Sequence, residues 1–222
     1  FAWPGPEPFA LAVGRFAIER GERLLLTGPS GSGKSTLLSL ICGVVLPAEG
    51  RVMALGADLG ALPAVARDRC RADHVGVIFQ MFNLLPYLTA LDNVLLPLRF
   101  SPARRARAGD AAAEARRLLA RLGLDAAKLA SRQAARLSVG QQQRVAAARA
   151  LIGAPEIVVA DEPTSALDRD TREAFLALLF AEVARAGSCL VMVSHDTTLA
   201  HLFDRVVPLR EVARVEGRAT PC

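Results

Sequence analysis

The sequence is poor in cysteine, lysine, aromatic residues and long apolar runs, and each shortage closes off a class of protein. The cysteines Cys42, Cys70, Cys189 and Cys222 lie far apart and form no C-x-x-C pair. That spacing excludes a disulfide-stapled scaffold and a cysteine-ligated zinc site, leaving buried or incidental thiols of a reducing compartment. Although 52% of the 222 residues are hydrophobic, the most apolar stretches, 24–26, 94–96 and 157–160, are broken within a few residues. A membrane-spanning helix needs about 18–20 such residues in a row, so alanine-rich helices and buried strands account for the apolar content. No signal-peptide pattern is visible, and the chain opens on Phe1 and not Met. A few residues are therefore expected to precede it, and the expected location is the cytoplasm.

Lysine is scarcest of all: Lys34 and Lys128 stand against 25 arginines. The bias fits a GC-rich genome, and against it a lysine at 34 marks a position that suits a compact ammonium. The formal charge of +5 comes without interleaved aromatics, so no nucleic-acid partner is expected. Arg104, Arg105, Arg107, Arg116, Arg117 and Arg121 fall in one alanine-rich stretch. They are expected to form a solvated helix face, with attraction to acidic lipid headgroups or a partner as the alternative.

Short apolar runs alternate with helical patterns, which predicts an α/β fold with a mostly parallel sheet covered by helices. Strands are expected at 23–27, 75–79, 157–161, 190–194 and 205–209, with a helix from Lys34 to about Cys42. The first twenty residues and 50–55, punctuated by Gly and Pro, suggest a small antiparallel sheet beside the main one. From Leu91 to Gly153 the pattern is nearly all helix. Thr89 is placed to cap the first of these, Leu118, Leu119 and Leu122 share one face of a helix over 103–122, and a helix is expected over 139–153. The expected organisation is a core over 1–88 and 154–222, including the antiparallel β lobe, with a helical lobe inserted at 89–153.

Gly28-Pro29-Ser30-Gly31-Ser32-Gly33-Lys34-Ser35 fits the phosphate-loop pattern G-x-x-x-x-G-K-[ST] in full, between an expected strand and an expected helix. Its glycines let backbone N–H groups converge on phosphate oxygens, and the helix N-terminus adds partial positive charge. Lys34 can reach the β- and γ-phosphates, and Ser35 can ligate Mg²⁺, with Thr36 following. At 157–162, Ile-Val-Val-Ala-Asp-Glu delivers two carboxylates at the C-terminal end of an apolar strand, where open α/β sheets bind ligands. Asp161 suits the Mg²⁺ shell, and Glu162 suits polarising the attacking water.

The remaining motifs carry a resemblance to one family. Leu137-Ser138-Val139-Gly140-Gln141 resembles the signature motif of ABC ATPases, and the run 161–168 resembles that family's acidic strand end and D-loop. Phe79-Gln80 resembles its Q-loop, and Val193-Ser194-His195-Asp196 its switch-histidine segment. The resemblance implies one ABC ATPase domain over 1–222 that binds ATP and Mg²⁺. It further implies a head-to-tail pair with a second copy of the chain, Ser138, Gly140 and Gln141 of each copy completing the other's ATP site. His195 would hold geometry with Glu162, and Gln80 would swing between Mg²⁺ or water and the transporter contact. Phe1, with Trp3 as the competing choice, would stack on adenine. His74 and His201 lack such support and read as surface or packing residues. Val139 departs from the usual glycine of the signature, and as a β-branched residue it narrows the backbone choices there.

The stretch 79–94 is similar to the lipoprotein-release and macrolide-export branch, which also includes a cell-division ATPase. That likeness implies a motor subunit, peripheral on the cytoplasmic face of the inner membrane, paired with an integral membrane permease subunit. The apolar residues after Gln80 would form part of the groove for the permease's coupling helix, or would pack the helical lobe. The alternative function is a soluble or envelope-regulatory ABC ATPase acting in cell division or on DNA or ribosomes. Its usual coiled-coil insertions, fused second ATPase domain and metal-binding cysteines are missing here. A regulatory module without turnover is disfavoured by Lys34, Glu162 and His195 together.

Overall fold

The computed structural model describes residues 1–3, 9–165 and 167–216; Ala166, Cys222 and the side chain of Trp3 lie outside what is described. Its centre is a five-stranded parallel sheet. The strands are β3 (Arg23–Thr27), β6 (Val75–Ile78), β7 (Ile157–Asp161), β8 (Cys189–Ser194) and β9 (Arg205–Pro208), in the order β6-β7-β8-β3-β9. Apart from their end residues the strands are apolar throughout, as a sheet covered on both faces requires. Side chains alternate between the faces. Leu25, Val158, Ala160, Leu190 and Met192 enter one hydrophobic cluster, while Leu24, Leu26, Val159, Val191 and Val193 enter the other.

The second cluster is covered by α1 (Lys34–Ile41), through Leu37, Leu38 and Leu40. Beside it lies an antiparallel sheet in which β2 (Phe9–Val13) runs between β1 (Ala2–Trp3) and β10 (Ala213–Glu216). This differs from the expectation in two ways. The third strand comes from the far end of the chain, and the segment near 50–55 does not join it. Instead β4 (Met53–Ala54) and β5 (Ala57–Asp58) form a separate two-stranded ladder, before α2 (Ala64–His74).

The first cluster is covered by helices. They are α3 (Ala90–Leu95), α4 (Pro102–Ala108), α5 (Ala111–Arg121), α6 (Ala126–Leu129), α7 (Val139–Leu151) and α8 (Arg169–Ala186), whereas a short α9 (Leu209–Val212) packs on the second cluster. Thr89 caps α3 as expected, its hydroxyl accepting the Asp92 N–H at 3.1 Å. The helix expected over 103–122 is two. Gly109 adopts φ 61° and Asp110 caps a new helix by accepting the N–H groups of Ala112 and Ala113, so the apolar face of Leu118 and Leu119 belongs to α5 alone. The helix α7 stops at Leu151, short of Gly153, which takes φ 71°.

The arginine-rich stretch is a solvated face only in part. Arg104 is buried, donating to the Ile152, Ala150 and Val75 carbonyls and capping the C-terminal end of α7; burial lowers its pKa to about 10. Arg107 donates to the Gly153 and Asp73 carbonyls. Arg117 and Arg121 reach Glu182 on α8, and Arg105, Arg107, Arg116 and Arg121 are exposed as expected of a solvated face. The alanines that suggested a plain surface helix are what let these long side chains reach backbone across neighbouring elements.

Candidate nucleotide-binding site

The parallel register brings the strand ends together before any side chain is considered. Thr27 lies beside Ser194, Asp161 beside Val193, and Ile78 beside Ala160. The loops leaving β3, β7 and β8, together with Gln80 two residues beyond β6, therefore share the carboxyl edge of the sheet, where such folds take ligands.

After β3 the chain turns through 28–33 into α1. Gly31 and Gly33 adopt φ 74° and 97°, conformations that a side chain disfavours. Lys34 is buried and its Nζ donates to the Gly28 and Pro29 carbonyls, both at 2.8 Å, curling the loop around the ammonium. Burial lowers the Lys34 pKa, and the charges of Glu162 and Asp161 oppose that shift. A methyl group on Gly28 would come within 3.0 Å of the Ser32 hydroxyl and 3.7 Å of the Lys34 side chain, narrowing the loop from inside. Pro29, Ser30 and Gly31 are exposed. The Ser32 hydroxyl is buried with no partner among the described residues. An orphaned donor in a loop built around one cation fits an anionic ligand of phosphate type.

Two polar pairs flank the loop. Ser35 donates from Oγ to Asp161 Oδ2 at 2.8 Å, bringing two hard oxygen ligands together across α1 and β7. Burial raises the Asp161 pKa and the nearby Glu162 charge adds to it, against the Ser35 hydrogen bond and the Lys34 charge. A divalent cation would relieve that penalty, so the donor set fits Mg²⁺. The second pair is Glu162 and His195: His195 Nδ1 lies 3.0 Å from both carboxyl oxygens. Glu162 holds a left-handed backbone, φ 45°, fixed by its N–H to the Val193 carbonyl at 3.1 Å. Such a conformation is uncommon for a residue with a Cβ, and here it directs the carboxylate toward the end of β8. A cavity of about 290 Å³ lies against the pair, with Ser165 and Thr197 in its wall.

Other residues singled out from sequence stand apart from these pairs. Gln80 is exposed in the turn after β6. Phe1 is half-buried at the start of β1 and packs against the cluster of Leu11 and Leu24. Ser138 caps α7 and forms a reciprocal box with Gln141: its Oγ accepts the Gln141 N–H at 3.3 Å, and its own N–H donates to Gln141 Oε1 at 3.0 Å. Ser138 and Val139 are exposed, and a methyl group added at Gly140 would meet nothing within 4 Å. His74 pairs with Glu156 at 2.9 Å and His201 bonds the Thr198 carbonyl.

Three polar residues near the site make contacts that were not read from the sequence. Gln143 is buried on α7 and donates to the Pro163 carbonyl at 2.5 Å, tying that helix to the loop after Glu162. Arg172 binds Asp196 and the Leu167 carbonyl, joining the loop that precedes α8 to the one that carries His195. Arg149 donates to the Phe82 and Asn83 carbonyls beyond Gln80. The Ser138-x-x-Gln141 spacing was a readable capping signal; the three long-range contacts had none.

Comparison with known proteins agrees with this geometry. A family model described as ABC transporter matches residues 12–165. A lipoprotein-releasing system ATP-binding protein, LolD, of Anaeromyxobacter dehalogenans is 46% identical over 201 residues, covering 90% of this chain and 80% of that one. A macrolide export ATP-binding/permease protein, MacB, of Bradyrhizobium diazoefficiens is 42% identical over 215 residues, which are 95% of this chain but 31% of that longer one. Among solved structures, the dimeric bacterial ABC transporter cassette MJ0796 superposes with a TM-score of 0.77 at 37% identity, covering 91% of this chain and 88% of that one. A second dimeric structure of the same cassette, bound to ADP and Pi, gives a TM-score of 0.75 at 39% identity over 91% of this chain and 88% of that one.

Proposed function

The chain belongs to the ABC transporter ATP-binding family, and from that premise we propose that it hydrolyses ATP as the motor of a membrane complex, closing its site against a second copy of itself. The observation that carries this reading is the convergence at one sheet edge of the Lys34 loop, the Ser35–Asp161 pair and the Glu162–His195 pair.

The residues divide the work as follows. The loop 28–36 takes the phosphates, Lys34 exchanging its carbonyl partners for phosphate oxygens. Ser35 and Asp161, with Gln80 from the next strand, would hold Mg²⁺. When bound, that ion neutralises charge developing on the phosphate oxygens. Glu162 accepts the proton of the attacking water, and His195 fixes the carboxylate on the phosphate side. Phe1 offers an aromatic face to adenine.

Ser138, exposed, and Gly140 and Gln141, half-buried, form the helix N-terminus. A Cβ added at Gly140 would meet nothing within 4 Å among the described residues, so the glycine suits close approach by a ligand held elsewhere. The reading supported here is a head-to-tail dimer in which that terminus caps the partner's ATP. The segment 89–153 would move as a lobe when the pair closes.

For the membrane partner the support is an apolar groove. A cavity of about 560 Å³ runs between α1, α2, β6 and the start of α4, with Val44, Phe79 and Phe100 exposed at its rim. Apolar surface of that kind fits an amphipathic segment of a permease subunit. No helix among the described residues is long and apolar enough to cross a membrane. From the likeness to LolD and MacB, we propose that the chain works at the cytoplasmic face of the inner membrane, held there by a permease of the lipoprotein-release or macrolide-export type.

Steady-state ATPase assays of Glu162→Gln, with retained nucleotide measured in parallel, test the assignment. The variant is expected to keep ATP bound and lose turnover by about 100-fold or more. Turnover at the parental rate would remove Glu162 from the chemistry.

A further inference from the structure

Arg149 is a buried cation that the site described above does not use. It lies in the C-terminal half of α7, and its guanidinium points away from that helix. One terminal nitrogen donates to the Asn83 carbonyl and the other to the Phe82 carbonyl, both at 2.6 Å. Burial holds its pKa below the usual guanidinium value. A cation kept there against that cost, bonded to neutral carbonyls, calls for a reason.

The two acceptors supply it. Phe82 and Asn83 are consecutive residues with left-handed backbone, φ 59° and 49°. Asn tolerates that region, whereas Phe does not favour it. The turn is closed by the Phe82 N–H to the Phe79 carbonyl at 2.9 Å and the Asn83 N–H to the Met81 carbonyl at 2.6 Å. Gln80 sits inside this turn. A guanidinium offers two donors in a rigid fork that can hold successive carbonyls at once; an ammonium offers a point.

The helix that carries Arg149 is anchored at this end. A methyl group on Gly76 of β6 would collide with the Ala150 carbonyl, and Arg104 donates to that same carbonyl and to the Ile152 carbonyl. At 1.5 Å per residue, the Ser138 cap lies about 16 Å away along the same rigid element.

We propose that Arg149 is a positioning residue, holding the Phe82–Asn83 turn in its left-handed form so that Gln80 is placed by the same helix whose far end presents Ser138. The effect on Gln80 rests on the reading above that Gln80 serves the metal side of the site. It makes α7 the link between the chain's own cradle and the cap it presents to a partner.

Hydrogen exchange on the full chain without nucleotide tests the hold. Arg149→Met should speed exchange of the Phe82 and Asn83 amides by about tenfold or more, with α7 and β6 keeping parental protection. Arg149→Lys, which restores one donor, should fall between the two. Parental protection at Phe82 and Asn83 in Arg149→Met overturns the proposal, and so does a loss spread evenly over α7 and β6. ATP binding with magnesium and in EDTA tests the consequence. In Arg149→Met the gain in affinity that magnesium brings should shrink several-fold, while affinity in EDTA stays within about twofold of the parent. Gln80→Ala separates the two claims. If it leaves the magnesium gain at the parental value, the role of Gln80 is wrong, and the exchange result still decides whether Arg149 holds the turn.

Discussion

On the proposed reading the strand-end cradle and the N-terminus of α7 both meet phosphate, yet the chain surrounds one with partners and leaves the other open. At the strand ends the polar groups find partners across three elements: Lys34 on its own loop, Ser35 on Asp161, and Glu162 on His195. At the start of α7 the bonds of Ser138 and Gln141 close on the same helix end, and a Cβ at Gly140 would meet nothing within 4 Å among the described residues. The glycines show the contrast most sharply. A Cβ at Gly28 would crowd Ser32 and Lys34, whereas one at Gly140 would meet open space. On the proposed reading, a terminus with good capping chemistry and no neighbour over it is half of a site whose other half comes from a second copy.

The largest way to break this comparison is at the chemical end. Glu162→Gln should lower the steady-state ATPase rate by about 100- to 10,000-fold with the fold intact, as checked by thermal melting. Next comes the clasp between α5 and α8. Glu182 is 2% exposed and accepts from Arg117, Arg121 and Arg185. Burial pushes its carboxyl up, but those hydrogen bonds outweigh burial and hold its pKa at about 2. Glu182→Ala takes one partner from each of three partly exposed arginines, Arg117 and Arg185 keeping Glu114, and should cost about 1–2 kcal/mol in urea unfolding. Because the folded pKa lies below the ordinary value of 4.5, this stabilisation is full above that pH and is lost as pH falls toward 2. The parent should therefore lose more stability than Glu182→Ala over that acid range.

Lys34→Ala should weaken ATP binding by about 10- to 100-fold in equilibrium titration, since a charge-assisted contact to phosphate is lost. The smallest effect on stability is the most informative. Gly140→Ala should leave the unfolding free energy within about 0.5 kcal/mol of the parent, while ATPase activity falls. Equal activity would mean that nothing approaches Gly140 from outside.

The cradle and acidic strand end were legible because their signal is local: a glycine pattern, an apolar run and two consecutive carboxylates. The parallel core was legible for the same reason. What was hidden depends on partners distant in sequence. Arg149, Gln143 and Arg172 act on backbone carbonyls in other loops, and an arginine among 25 carries no mark of its own. Arg104 and Arg107 were hidden likewise, by alanine neighbours that suggested an exposed helix. The break at Gly109-Asp110 had a visible signal, a glycine followed by a capping aspartate, which the leucine pattern masked. The strand 213–216 became readable only once β2 needed an antiparallel neighbour.

The central claim is that a second copy completes the site, and sedimentation velocity of Glu162→Gln tests it most directly. With ATP and magnesium the variant should sediment as a dimer, and it should return to monomer when Ser138→Arg is added, with ATP still bound. A monomer that holds ATP under the first condition would contradict the composite site.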